Sequence, residues 1–399
     1  MDQLAISEKT IEEISKLRNE PDWLLQKRIE AWKIFQQTKE IENVDEISPN
    51  FVADYNIGAF DENLKFDFHY LSELKIGGII ITDILRALKD FPDFLRQYFL
   101  KEVNPLENNF VALHTALFNT GAFIYVPAGI ELKVPLGIRY SVTKSNGFFN
   151  HNVIVVDKGA SLAFIEDFSS KTKSKNAIHT EVSEIYLKEG AQADYLALQD
   201  WQQNISNFSI RRAVLEKDSK LKIFLASLGS NVSKINIDTL LKGPNAETEV
   251  YSMFLGTNNQ NFDIKTSAIH SSSETKSLTL VNGVLKETSV SNYKGKIKVL
   301  KDATKCDAHI NENVLLLGSE AHAEFVPNLE IENGEVSASH DAFIRQADKE
   351  RLNFLISKGM KKEDAEKLMV QEFFEDVLQK IPLQKFSEKL QKIIQERLS

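Results

Sequence analysis

Apolar residues recur along this chain with two different periods, and the changes between them divide it into three parts. In residues 1–105 the period is mainly helical. Ile11, Ile14 and Leu17 mark one face over 8–17, and Leu24, Leu25, Ile29, Trp32 and Phe35 mark another after Pro21. Proline suits a first helical turn, because its missing N–H would have no partner there. Residues 40–75 are mixed and acidic and read as loop with short strands. Over 82–100 the helical pattern returns, with Thr82 as its N-cap and Pro92 dividing it into two short helices.

Across residues 106–345 the period shortens to short alternating apolar runs, the mark of strands. An internal repeat is visible in segments 155–164, 186–195, 214–223 and 299–305. Each has two apolar residues, two polar ones and a small turn residue, and the first three continue into alternation. Segments 126–132 and 240–246 fit more loosely, and a weak copy lies near Ser273. Successive copies are roughly 25 to 31 residues apart. That period signals a repeat architecture wound once per copy, so a parallel β-helix is expected. Each corner needs a turn-forming residue, which accounts for Gly159, Gly190 and Asp218. A β-sandwich has similar turns but rarely repeats one corner at one spacing.

Residues 346–399 are helical again. Leu352, Leu355 and Ile356 form an apolar stripe that stops at Gly359, and 364–380 and 383–398 are amphipathic.

Composition narrows the function more than the fold. With 399 residues, 42% hydrophobic and 26% charged, the chain is ordinary for a water-soluble protein. It has no apolar run of about 18 residues, which excludes a helical membrane span, and no apolar leader is seen. A cytoplasmic location is therefore expected. The net charge of −9 disfavours nucleic acid. The single cysteine, Cys306, permits no internal disulfide and cannot hold an iron–sulfur cluster alone. Nucleotide-binding glycine loops, zinc-protease helices and serine-nucleophile elbows are missing from the sequence.

Several segments carry a family resemblance. Ile6-Ser-Glu8 with the stretch Arg18–Arg28 resembles the N-terminal signature of SufB proteins, and Tyr125–Gly129 with Pro135 resembles the family's strand turn. The most specific block comprises Leu315–Gly318, Pro327–Ile331, Ser339–Ala342 and 348–359. By these segments the chain is identified as a member of the SufB/SufD family, SufD-like in its detail. The resemblance implies a mainly β protein: a right-handed parallel β-helix flanked by helical N-terminal and C-terminal regions. It also implies a non-catalytic scaffold subunit of the SUF iron–sulfur cluster assembly complex. Such a subunit dimerises through its β-helix, with a SufB-like subunit or a second copy, and binds the SufC ATPase through its C-terminal helices. A cluster would sit only transiently at the complex interface before passing to apoprotein acceptors, with no cofactor held stably by the chain alone.

The same resemblance singles out His340, which matches the family's Ser-His block, and Asp341 after it, where SufB tends to carry glutamate. An imidazole there can ligate iron or relay a proton. The plainer reading is a histidine hydrogen-bonded at the end of the coil. SufB carries a cysteine shortly before the Leu-Leu-x-Gly segment; that place here holds Glu312. Cys306 lies too far back along an extended strand to replace it and reads as a small buried hydrophobe. His309 and His322 fall near the same end and read as structural or exposed, and Glu324 and Glu330 as surface or corner residues. Leu352, Phe354, Leu355 and Met360 are the candidates for docking the ATPase, against the alternative of packing on the chain's own coil. A competing function is a carbohydrate-active β-helix enzyme using Asp194 with Asp200, or Asp263 with Glu274.

Overall fold

The computed structural model describes residues 6–38, 54–60, 66–67, 77–142, 147–171 and 176–398; most of the 40–75 segment lies outside them. Two helices open the chain, α1 (Glu8–Arg18) and α2 (Asp22–Thr38). Ser7 and Thr10 form a reciprocal capping box at the start of α1, and Asn19 ends it in the left-handed conformation. Arg28 of α2 is fully buried. It pairs with Glu20 through two 2.8 Å contacts and donates to the carbonyls of Ala116 and Phe118.

Three more helices follow: α3 (Ile84–Asp90), α4 (Pro92–Arg96) and α5 (Asn109–Leu117). Pro92 does divide the 82–100 stretch, but the N-cap is Asp83, not Thr82. The Asp83 carboxylate accepts from the amides of Leu85 and Arg86, while Thr82 lies in a strand. Helix α5 falls inside the span 106–345, where alternation was expected throughout. Asn108 accepts from the amides of Phe110 and Val111 and starts a helix before the strands take over.

The remainder of the centre is strands in two sheets. The even sheet contains β3 (Ile80–Asp83), β4 (Ala122–Val126), β6 (Gly147–Val156), β8 (Ala177–Leu187), β10 (Ile205–Leu215), β12 (Val232–Leu241), β14 (Asn261–His270), β16 (Val290–Val299) and β18 (His322–Ile331). The odd sheet contains β1 (Asp54–Phe60), β2 (Phe66–Asp67), β5 (Leu136–Val142), β7 (Ser161–Ser170), β9 (Gln192–Asp200), β11 (Lys220–Ser227), β13 (Glu247–Gly256), β15 (Lys276–Leu285), β17 (Cys306–Leu316) and β19 (Val336–Gln346). From β4 onward every strand pairs in parallel with the strand two further on, so the chain winds a β-solenoid of about seven turns. The parallel coil inferred from the repeat is therefore present.

The repeated corner is the passage from the even to the odd sheet. Gly129, Gly159, Gly190, Asp218, Asn245, Glu274 and Lys305 all have positive φ. Each N–H in this column donates to a carbonyl of the next coil, from Gly129 to Lys158, Gly159 to Glu189, Gly190 to Lys217, and so on to Lys305 with Glu335. In segment 240–246 the left-handed residue is Asn245 rather than Gly243, and near Ser273 it is Glu274. The same shift occurs in segment 299–305, where the left-handed residue is Lys305 rather than Ala303.

The two ends differ. At the start, β1 closes the odd sheet by pairing antiparallel with β5, and β3 closes the even sheet against β4. At the finish, β18 and β19 each have one neighbour and an open edge. Aromatics from the N-terminal region, Phe94 and Phe99 among them, pack on the outside of the first even strands. Three helices end the chain: α6 (Lys349–Ser357), α7 (Lys362–Leu378) and α8 (Gln384–Arg397). Val370, Phe374 and Ile394 of the last two pack on the outside of the odd sheet against Phe224, Tyr251 and Met253. Lys389 and Arg397 tether α8 to Asp167 and Asp200.

Gly190 has φ +70° with only ordinary contacts around its added Cβ, so its cost on substitution is conformational. Gly190→Ala is expected to lower stability by about 1 kcal/mol in urea unfolding. Gly334→Ala, without a left-handed φ and with open space beside it, is the control that should leave the midpoint in place.

Candidate functional site

Strand alternation decides which side chains enter the coil. In β17 the inward positions are Cys306, Ala308, Ile310, Glu312, Val314 and Leu316. His340 pairs in register with Ile310, so its ring also points inward, although its backbone lies on the open edge. There the His340 Nε2 meets Glu312 Oε1 at 2.6 Å, and the side chains are 2% and 0% exposed. Room for them comes from Gly295, where an added Cβ would stand 2.7 Å from both. Burial pushes the Glu312 carboxyl up from its usual range, and His340 pulls it the other way. The other two polar atoms of the pair, Glu312 Oε2 and His340 Nδ1, are buried and have no hydrogen-bond partner. Both are atoms that can accept a hydrogen bond or ligate a cation.

Asp341 does not join this pair. As the next residue on a strand it faces outward and is exposed, with a long contact to Ser339. His309 also faces outward and is held by Ser339 and Asp307, and His322 is exposed at the start of β18. Cys306 is 2% exposed within the solenoid core, where its thiol meets Thr275 Oγ1 at 3.3 Å. Among the described residues no group of three or more His, Cys, Asp or Glu is placed to hold a metal ion. Glu330 is engaged by Lys296 and Lys298, which hold its carboxyl below the usual range. Sequence reasoning identified Glu312 as the occupant of the cysteine position but missed its contact with His340.

A second polar group was missed altogether. Near the start of the coil, Glu166, Glu181, Tyr195 and Arg211 all point inward and are fully buried. Arg211 pairs with Glu181 at 2.5 Å and approaches Glu166 at 3.7 Å. Asn152 donates to Glu166 Oε1 at 2.6 Å, and the Tyr195 hydroxyl donates to its other oxygen. One guanidinium serves two carboxyls. Burial, reinforced by Glu181, pushes Glu166 up to about 8, against the pull of Arg211, Tyr195 and Asn152. His179 lies close by, and burial pushes it down to about 3, leaving it neutral. The legible signal was three charged residues at inward positions of stacked strands, which only the corner register could align.

An apolar belt formed by Ile223, Leu225, Ile235, Ile237 and Ile264 separates this group from Glu312 and His340. The coil interior beside Arg211 has no room even for water-sized molecules. No glycan could enter there. On the outside, Asp194 and Asp200 lie six residues apart on one strand, which is about 20 Å and too far for paired acid–base work. Asp200 is moreover paired with Arg397.

The uncovered apolar surface is concentrated at the open end. Leu329, Ile331 and Ile344 occupy inward positions that a further coil would cover; they are 44%, 42% and 45% exposed. Helix α6 has no buried residue: Phe354 is 58% exposed, and Leu352, Leu355 and Met360 are half-buried. The chain's own coil does not cover this helix. No helix among the described residues is long and apolar enough to cross a membrane.

Fold and site together define a parallel β-solenoid whose chemistry-bearing side chains lie inside the coil and whose last turn is uncapped. The chain belongs to the SufBD family of the SUF system of iron–sulfur cluster assembly: the family's core-domain model matches residues 139–373 and its N-terminal-region model matches 63–138. It is similar to the iron–sulfur cluster assembly protein SufB of Bacillus subtilis, at 26% identity over 95% of this chain and 90% of the relative. It is also similar to SufBD family proteins of Staphylococcus epidermidis and Staphylococcus aureus, at 25% identity over the same shares.

Glu166 gives a pH test. Its raised value means the folded state holds a proton that the unfolded chain has lost between about pH 4.5 and 8. Stability from this group is therefore lost as pH rises through that window, by up to about 1.4 kcal/mol per pH unit. Urea unfolding across the window should show that fall in the native protein and a flatter profile in Glu166→Gln. Superimposable profiles would mean that Glu166 is ionised in the fold.

Proposed function

We propose that this chain is a scaffold subunit of a SUF assembly complex, with the iron–sulfur cluster as cargo rather than as a resident cofactor. The observation that carries this reading is the uncapped last coil. It presents open edges on β18 and β19, exposed inward-type residues and, just beyond, an uncovered apolar helix. Open parallel edges and contiguous apolar surface are places where another chain docks. The reading assigns the solenoid end to a second SufBD-type subunit, either SufB-like or another copy. It assigns Leu352, Phe354, Leu355 and Met360 to a SufC-like ATPase that supplies the ATP hydrolysis. Apoproteins in the cytoplasm would receive the finished cluster.

In this reading Glu312 and His340 form a two-ligand site for iron at the docking end. A carboxylate where SufB has a thiol favours the SufD-like role, since oxygen and imidazole suit iron but do not carry sulfur. Asp341, facing away, is available only to a partner.

Co-expression with the ATPase and SufB-like chain of the native source tests the docking. Leu355→Asp is expected to weaken ATPase retention at least tenfold, about 1.4 kcal/mol, while the solenoid partner stays bound. Ile344→Asp should do the reverse. If neither substitution alters the composition of the purified complex, the docking assignment is wrong. Separately, Glu312→Ala and His340→Ala should each lower anaerobic ferrous-iron retention by the intact complex about tenfold without changing its subunit ratio. Full retention in both variants would remove the pair from the site.

A further inference from the structure

Helix α5 and the segment before it are fastened to the outside of β6 and β8 by a buried chain of hydrogen bonds. His114 of α5 meets the Thr180 hydroxyl of β8 through Nδ1 at 2.9 Å, and His151 of β6 through Nε2 at 3.1 Å. His151 in turn reaches Glu184 of β8, Nε2 to Oε2, at 3.2 Å. The same carboxylate accepts from the backbone N–H groups of Leu100, Lys101 and Glu102 at 2.5, 2.9 and 2.9 Å, and the Tyr186 hydroxyl stands beside it at 3.1 Å. Both imidazoles and the carboxylate are no more than 1% exposed. The Phe99 ring stacks on His151 with 4.2 Å between ring centres.

This geometry sets the protons. A carboxylate that accepts three amides takes a further donor from His151, so Nε2 of that ring carries its hydrogen. His151 Nδ1 then accepts from His114 Nε2, and His114 Nδ1 accepts from Thr180. A further proton on His151 would set two N–H groups face to face at 3.1 Å, and one on His114 would reverse the Thr180 contact. Either would also add a cation near Arg28, whose field reaches both rings from α2 and whose charge is already matched by Glu20. Burial raises Glu20, but Arg28 and Arg18 outweigh it and hold that carboxyl below its usual range. His179 faces His114 from inside the coil and is neutral. Burial lowers both imidazoles, and Glu184 opposes this only in part at His151.

We propose that the chain His114–His151–Glu184 is a latch between α5 and the coil that mild acid releases. The sign follows from the two states. With the latch closed, both rings are held below 6.5; once released to solvent, they return to about that value and take up protons. The stability of the seam is therefore fully present above about pH 6.5 and is lost as the pH falls below it. Release bares the outer face of Phe149, Val153 and Val155, which is packed in the closed form with Leu113 and Phe118.

The test is hydrogen–deuterium exchange of the full chain between about pH 7.5 and 5, corrected for the intrinsic pH dependence of amide exchange. The opening constant of the 109–117 amides is expected to rise at least about thirtyfold over that range, the rise that one imidazole titrating near 6.5 supplies. Helix α8, which packs on the odd sheet away from both rings, is the control and should stay flat. The double substitution His114→Gln with His151→Gln should flatten the response of 109–117. Nitrogen NMR of the native chain with labelled histidine needs no variant: at neutral pH it should show both rings as the Nε2–H tautomer. A flat response of 109–117 in the native protein, an equal response in α8, an undiminished response in the double variant, or an Nδ1–H tautomer at His151 would each overturn the latch.

Discussion

A parallel coil can be extended only if each backbone donor at a corner finds an acceptor one turn further on. Here that condition is met by a single column of left-handed residues, each donating to the next coil's carbonyl, from Gly129 to Lys305. Because the column is continuous, the strands stay in register over about seven turns, and inward positions stack on inward positions. Glu312 and His340 meet because of it. They sit on neighbouring strands of the odd sheet, and a slip of one residue in β19 would turn the imidazole to solvent. The same register collects Asn152, Ser183 and Arg211 into one inward line.

Stacked inward positions are also what makes the interior two-natured. Where isoleucines stack, the coil is dry and held by apolar burial. Where Glu166, Glu181 and Arg211 stack, two carboxyls share one cation, and burial pushes both carboxyls up from their usual range. A fully ionised trio would leave an uncompensated charge inside the coil. The apolar belt keeps this group electrically distant from the pair at the open end, so each can be altered without disturbing the other.

Much of this was legible in the sequence, and the reasons differ by element. The repeat was readable because glycines at 159 and 190 and Asp218 stand at fixed distances from paired apolar residues. The terminal helices were readable from periodicity, down to the stop at Gly359, which has φ +92°. Asp83 as a cap was obscured by Thr82, an equally good capping residue one position earlier. Helix α5 was obscured because nearly every residue of 109–117 is buried, the polar Asn109, His114 and Thr115 included, so neither period dominates it. The Glu312–His340 contact joins residues 28 apart. It follows from register alone, and register needed the whole corner column, including the copies at Asn245 and Glu274 where insertions disguised it.

The contrast between the two ends of the solenoid bears on how such a protein could work. Antiparallel strands close the first coil, and nothing in the described chain closes the last. An open end costs stability, since unmade ladder bonds and exposed Leu329 and Ile344 forgo what another coil would return. The two partnerless buried atoms of Glu312 and His340 add about 1–3 kcal/mol each. Both costs fall on the same coil, and the proposed function would remove them in a single event, a partner covering the end while a cation engages the pair. Under that proposal two ligands would not complete an iron coordination sphere, so further donors would have to come from the partner, from solvent or from the cargo itself. Metal retention and subunit docking would then be linked in sign, each strengthening the other, because both would act on the one coil that the fold leaves unfinished.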